Sequence, residues 1–187
     1  KTCVRLFKGD YGTAQKVAED PFETARKFAL EGAKWVHMVD LNGAKDAYPV
    51  NRDIFLRIAR ETGLNTELGG GIRDMKTIED YLKEGISRII LGSAAVKNPA
   101  LVAEAVKEFG DRIAVGIDAR DGMVATEGWM ETSAVCYLEL AMAMEQMGVK
   151  TLIYTDISRD GTLTGVNLEH LEQLNDAVSC RIIASGG

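Results

Sequence analysis

Three glycines follow a short apolar run in Glu67-Leu68-Gly69-Gly70-Gly71-Ile72-Arg73, and the signature returns in Ala184-Ser185-Gly186-Gly187. Without Cβ atoms the backbone can turn its N–H groups onto an anion at close range, and a following helix adds favourable potential. Each turn is therefore a candidate phosphate cradle, as is Ile90-Leu91-Gly92-Ser93-Ala94-Ala95. Any one of them is equally well a plain tight turn; their recurrence in both halves of the chain points to a long ligand with a phosphate at either end. Asp118 closes the apolar run 113–117. A carboxyl group at the end of a buried strand, partly stripped of water, can hold a proton and pass it to a sugar ring oxygen. The plain alternative is a capping acid, or one paired with Arg120. Asp40, Thr155 and Asp156 also end strands and should face the same opening, while Asp160 sits in the Arg159-Asp160-Gly161 turn. Trp129, in a loop, either stacks on a flat heterocycle or packs on the protein top.

These residues need a frame that brings them to one rim. Apolar runs at 4–7, 35–41, 66–68, 88–91, 113–117, 151–157 and 181–184 alternate with helical patterns at 21–31, 52–61, 76–83, 99–108, 134–147 and 168–176. Alternation of this kind builds a parallel sheet covered by helices. Asp20-Pro21 and Asn98-Pro99 read as helix starts, and Gly32, Gly85 and Gly148 as helix ends. The chain also nearly repeats at an offset of 116 residues: Asp40, Asn51, Gly70 and Gly71 recur as Asp156, Asn167, Gly186 and Gly187. That period is about half an eight-unit barrel. The expected fold is a (β/α)8 barrel of two similar halves, forming one domain over 1–187. About seven strands are expected, with the barrel cut short at both ends. The partner of strand 86–95 and the counterpart of Asp118 then fall outside the chain.

With 187 residues, 46% hydrophobic and 27% charged, the chain can bury a substantial core. No apolar stretch is long enough to span a bilayer, and no secretory leader pattern opens the chain, so a cytoplasmic protein is expected. A net charge of −6 with scattered basic residues argues against nucleic acid. Cys3, Cys136 and Cys180 lack metal-site spacing, and His37 and His170 lie in unrelated elements. Neither a metal nor an organic cofactor is expected, and both histidines are assigned structural roles.

The stretches Cys3-Val4-Arg5-Leu6, Val39-Asp40-Leu41-Asn42-Gly43-Ala44, 68–73, 91–99, 115–122, Gly128-Trp129 and 154–163 together resemble the half-barrel enzymes of histidine biosynthesis. Leu91-Gly92-Ser93 and Thr155-Asp156-Ile157-Ser158 are similar to the isomerase branch rather than to the cyclase that works with a glutaminase. The resemblance implies an Amadori rearrangement of a bisphosphorylated aminoaldose to an aminoketose, without cofactor, in a protein monomeric at full length. It implies that Asp118 is the acid and Thr155 its support, and that Arg5, Asp160 and Trp129 contact or cover substrate. Gly70, Gly71, Gly92 and Ser93 would hold one phosphate, and Gly186 and Gly187 part of the other; Asp40 and Arg73 belong to the expected binding set. The family's base is an aspartate just ahead of the Lys1-Thr2-Cys3-Val4 stretch, so this chain taken alone is either part of such an enzyme or an inert phosphate-binding module.

Overall fold

The computed structural model describes residues 1–46 and 48–187. The chain opens with a hairpin of β1 (Cys3–Phe7) and β2 (Asp10–Ala18), followed by α1 (Pro21–Leu30), β3 (Trp35–Val39), α2 (Leu41–Asp46) and α3 (Arg52–Glu61). Next come β4 (Asn65–Gly69), α4 (Met75–Lys83), β5 (Arg88–Leu91), α5 (Ser93–Lys97), α6 (Pro99–Phe109) and β6 (Ile113–Arg120). A second hairpin, β7 (Met123–Thr126) and β8 (Glu131–Cys136), leads into α7 (Tyr137–Gln146), β9 (Thr151–Asp156), α8 (Leu168–Ala177) and β10 (Arg181–Ser185). The parallel strands lie in the order β10-β9-β6-β5-β4-β3, and β7 extends the end of β6 antiparallel. The result is an α/β fold whose parallel sheet curls as part of a (β/α)8 barrel.

Two differences from the sequence expectation concern the hairpins. The run 4–7 is a strand, but it pairs antiparallel with β2 in a separate two-stranded sheet. The helical pattern at 134–147 starts only at Tyr137, because residues 131–136 pair with β7. Tertiary pairing overrides a local pattern that fits either state.

Strand alternation divides the side chains into two sets. Leu68, Ile89, Leu91, Val115, Ile117, Leu152 and Tyr154 face the helices and meet Phe55, Ile78, Tyr81, Val102 and Met144 in the main core. Burial of each such side chain contributes roughly 1.5–3 kcal/mol. Ile90, Ala114 and Ile153, joined by Ile183, form a smaller layer on the concave side. Nearer the strand starts on that side, Glu67 accepts from Arg88 Nε at 3.0 Å and lies 2.8 Å from His37 Nδ1, with the Arg88 guanidinium 4.5 Å above the Trp35 ring. Burial opposes ionisation of Glu67, yet the hydrogen bonds to His37 and Arg88 outweigh it and hold the carboxyl below its usual range.

The helix starts follow their capping residues. Asp20 accepts from Phe22 N at 2.8 Å with Pro21 behind it, Asn98 from Leu101 N at 3.3 Å, and Asp74 from Thr77 N at 2.8 Å. Asp20→Ala is expected to cost about 1 kcal/mol, read as a lower urea midpoint with unchanged slope; no change would mean that packing of Phe22 alone sets this helix start.

Candidate active site

A cavity of about 1020 Å³ runs from beside β3, α1 and α3 to the C-terminal ends of the parallel strands, where barrel enzymes place their chemistry. Every expected site residue except Asp40 lines it: Asp118 and Thr155, Arg5, Gly70, Gly71 and Arg73, Gly92 and Ser93, Trp129, Asp160, Gly186 and Gly187.

Asp40 has a different task. It is buried, and its carboxylate accepts from the amides of Gly43, Val50 and Asn51, each at 3.0 Å, and from Asn51 Nδ2 at 2.7 Å. Its oxygens are taken up in pinning the loop between β3 and α3. The repeat-related Asp156 behaves alike, accepting from Ser158 N at 2.9 Å and from Asn167 Nδ2 at 2.7 Å. The Asp/Asn pairs that recur at 116 residues thus brace matching loops in the two halves.

The glycines answer to packing before any ligand is considered. A Cβ on Gly70 would lie 2.4 Å from Asp40 O, and one on Gly71 2.3 Å from Gly43 O. In the other half, a Cβ on Gly186 would lie 2.9 Å from Asp156 O, and one on Gly187 2.4 Å from the carbonyl carbon of Gly165. Neighbouring loops press backbone on backbone in both places, which leaves glycine-lined walls on the cavity. Gly71→Ala combines that clash with φ +77°, so a loss of roughly 2–5 kcal/mol is expected in urea unfolding. A loss below about 1 kcal/mol would show that the loops separate easily.

Asp118 sits at the centre. Trp129 Nε1 donates to its Oδ2 at 2.7 Å, and Thr155 stands abreast of it in the β6–β9 register. Burial raises the carboxyl above its ordinary range, against hydrogen bonds from Trp129 and Thr155 and the charge of His37. Among the described residues no cation forms a salt bridge to Asp118, so the paired-acid alternative has no support. Asp160 is also raised, by burial first and then by the Asp118 charge, while Arg5 opposes.

Trp129 reaches inward from a strained loop. Glu127, Gly128 and Trp129 all have positive φ, at 53°, 63° and 69°. Glu127 anchors that loop by ion pairs to Arg73 at 2.9 Å and Lys97 at 2.6 Å, and its N–H donates to Ser93 Oγ at 2.9 Å. Arg73 and Ser93 therefore reach the cavity wall already engaged with loop 127–129. The β1–β2 hairpin closes over the mouth: Lys8 N donates to Asp160 O at 3.0 Å, Gly161 fits against Leu6 O, and Gly9 leaves room for the Trp129 ring.

Sequence reasoning passed over Tyr11, Lys97 and Glu127. Tyr11 lines the cavity and donates to Leu41 O at 3.2 Å, and burial, then Asp40 and Asp46, raise its hydroxyl. Its only signal was a tyrosine after Gly9-Asp10 in an otherwise polar segment. His37 lies on the cavity wall paired with Glu67, and His170 bonds Tyr154 behind the sheet.

A partial (β/α)8 barrel carrying a half-buried acid and glycine-lined loops at its C-terminal rim defines a barrel enzyme. The chain belongs to the family described as Histidine biosynthesis protein, whose model matches residues 1–187. It is 52% identical over 185 residues to a protein of Clostridium kluyveri, covering 99% of this chain and 78% of that one. It is 50% identical to a protein of Listeria monocytogenes serotype 4b and 49% identical to one of Clostridium botulinum, covering 99% of this chain and 77% and 76% of theirs. All three bear the name 1-(5-phosphoribosyl)-5-((5-phosphoribosylamino)methylideneamino)imidazole-4-carboxamide isomerase.

Proposed function

We propose that this chain is an aldose–ketose isomerase of histidine biosynthesis, acting on the doubly phosphoribosylated imidazole carboxamide that its relatives are named for. The observation that carries the reading is the raised, cavity-facing carboxyl of Asp118, set between glycine-lined loops of the two halves. Asp118 as acid protonates the ring oxygen of the aminoaldose; the adjacent carbon–oxygen bond breaks, leaving its electron pair on oxygen, and the nitrogen lone pair closes an imine. Loss of the proton on the next carbon then gives an enolamine that settles as the aminoketose. The resemblance gives that second proton transfer to a second aspartate of the family pattern.

In this reading Gly70, Gly71, Gly92 and Ser93 hold one phosphate, and Gly186 and Gly187 contribute to the other. Arg5 and Asp160 meet the substrate middle. Thr155 supports Asp118, while Arg73 acts through its ion pair with Glu127. The chain works as one barrel domain of two like halves, as a cytoplasmic monomer without nucleic acid. Among the described residues no helix is long and apolar enough to cross a membrane.

The test is incubation of the purified protein with the aminoaldose, following the ketose by chromatography. Conversion without added glutamine or ammonia is expected; formation of imidazole glycerol phosphate, or phosphate-competitive binding without conversion, would overturn the assignment.

A further inference from the structure

Asp118 is half-buried and faces the cavity, so its surroundings are decided in large part by what lies beneath it. On β6 the inward positions below it are Ala114 and Gly116, which offer almost no side chain. The ground is laid by the neighbouring strands instead. Gly116 stands opposite Ile153 of β9 in the same parallel register that sets Asp118 opposite Thr155. From the other side Ile90 of β5 closes on it, since a Cβ at position 116 would lie 3.3 Å from Ile90 Cγ2. Ile90 and Ile153 are 7% and 4% exposed, and with Ala114 and Ile183 they form a layer of their own on the concave side. One step nearer the strand starts comes the ionised set of Glu67 and Arg88 with His37.

A glycine inside a strand weakens it, and Gly116 has no left-handed φ to require one. What the missing side chain gives is closeness: the two isoleucines come together under Asp118. An acid with cavity on one side and hydrocarbon on the other holds its proton only as well as the hydrocarbon is complete.

We propose that Ile90 and Ile153, drawn together over Gly116, are positioning residues for the reaction: their hydrocarbon shields Asp118 from water and from the ionised layer below, so that the acid carries a proton into its encounter with substrate. This deepens the isomerase reading above and rests on it. Burial is the largest influence raising Asp118, and it is opposed by hydrogen bonds from Trp129 and Thr155 and by the charge of His37 of β3. Asp160 of the loop after β9 and Tyr154 of β9 are electrostatically joined to Asp118, with Arg5 of β1 acting on Asp160. The Trp129 ring lends apolar surface from its loop; the hydrocarbon on the lower side is that of Ile90 and Ile153.

Valine and threonine are both β-branched and nearly equal in size, and differ in one hydroxyl. In the ligand-free protein the Asp118 carboxyl is titrated by carbon NMR, its resonance identified by its loss in Asp118→Asn. Ile153→Thr should lower the titration by about one pH unit, a part of what full burial of an acid brings about. Ile153→Val should leave it in place. Gly116→Ser and Gly116→Ala form a second pair in the same layer. The strand backbone accepts either residue if Ile90 gives slightly. Serine should lower the titration, and alanine should leave it or raise it. A layer that served the fold alone would change urea midpoints and leave the titration alike within each pair.

In turnover, an acid must be protonated to act, so kcat/KM falls as pH rises through the acid of the free enzyme. That descending limb should move down with the carboxyl in the threonine and serine variants. At pH above it, kcat/KM should be lower by up to about tenfold, the change in protonated fraction that one pH unit brings. Equal titrations in Ile153→Thr and Ile153→Val, both shifted or both unshifted, would overturn the proposal, as would a carboxyl that moves while the limb stays. The serine and alanine pair decides in the same way should Ile153→Thr not fold. Absence of wild-type turnover would overturn the isomerase reading, and the ligand-free titration still judges the layer's hold on Asp118 by itself.

Discussion

Asp118→Asn is expected to lower kcat about a thousandfold, the middle of the range for loss of a general acid, while the protein unfolds no more easily than before. The amide is close in shape to the carboxyl, and its oxygen can accept the Trp129 N–H in place of Oδ2, so the cavity keeps its form. What it lacks is a proton to give the ring oxygen. The stability expectation follows from linkage. A carboxyl raised in the folded state favours folding fully at pH below its unfolded value, and that contribution is lost as pH rises through the folded value. At neutral pH the partly desolvated charge is thus a burden, and the asparagine protein should match or exceed the wild type in urea. Steady-state kinetics and urea melts on the same preparations check both halves. A rate within tenfold of wild type would remove Asp118 from the chemistry, and a markedly lower midpoint would make it a structural acid. A site group that weakens the fold while serving the reaction is the usual trade between stability and activity.

The features legible in the residues are those whose cause is local or repeated. Strand 88–91 and helix 52–61 stand where their apolar patterns put them, and Asp20-Pro21 caps as its chemistry requires. The 116-residue echo led to the two glycine-lined loops on one cavity. It did not reveal that Asp40 and Asp156 spend their oxygens on Asn51 and Asn167, because a buried acid at a strand end looks the same whether it meets substrate or loop amides. The hairpin β1–β2 was half hidden: Asp10–Ala18 carries no apolar run, is mostly exposed, and is held by strand pairing and by the Tyr11 hydroxyl on Leu41 O. Glu127 was beyond reach for a different reason. Its partners Arg73 and Lys97 are distant in sequence, and only the curled sheet brings them together. Trp129 was placed on the rim, but the direction of its N–H depends on the space at Gly9, which no local pattern records.

Arg88→Met is expected to be the most damaging substitution to the fold that leaves the cavity rim untouched. Arg88 and Glu67 are almost fully buried, at 6% and 4% exposure, so neither can turn to water when its partner is lost. Removing one member of a buried ion pair typically costs about 3–5 kcal/mol, because the other charge is left uncompensated. Methionine keeps much of the volume and its contact with Trp35, so the loss reports charge rather than a void. The pH dependence separates the two causes. In the wild type the Glu67 carboxyl is held low, so its contribution is present above the unfolded carboxyl value and fades as pH falls through the folded one. Without Arg88 the carboxyl retains only His37 against burial and its folded value should rise. The variant is then penalised most at neutral pH and recovers toward wild type as Glu67 takes up a proton on the acid side. Urea melts at neutral and mildly acidic pH test this: the gap between the proteins should narrow as pH falls. A gap that is constant with pH would mean that Arg88 holds the barrel interior through packing on Trp35 and not through its charge. Arg88→Met with Glu67→Gln should recover part of the loss at neutral pH, since the orphaned charge is gone.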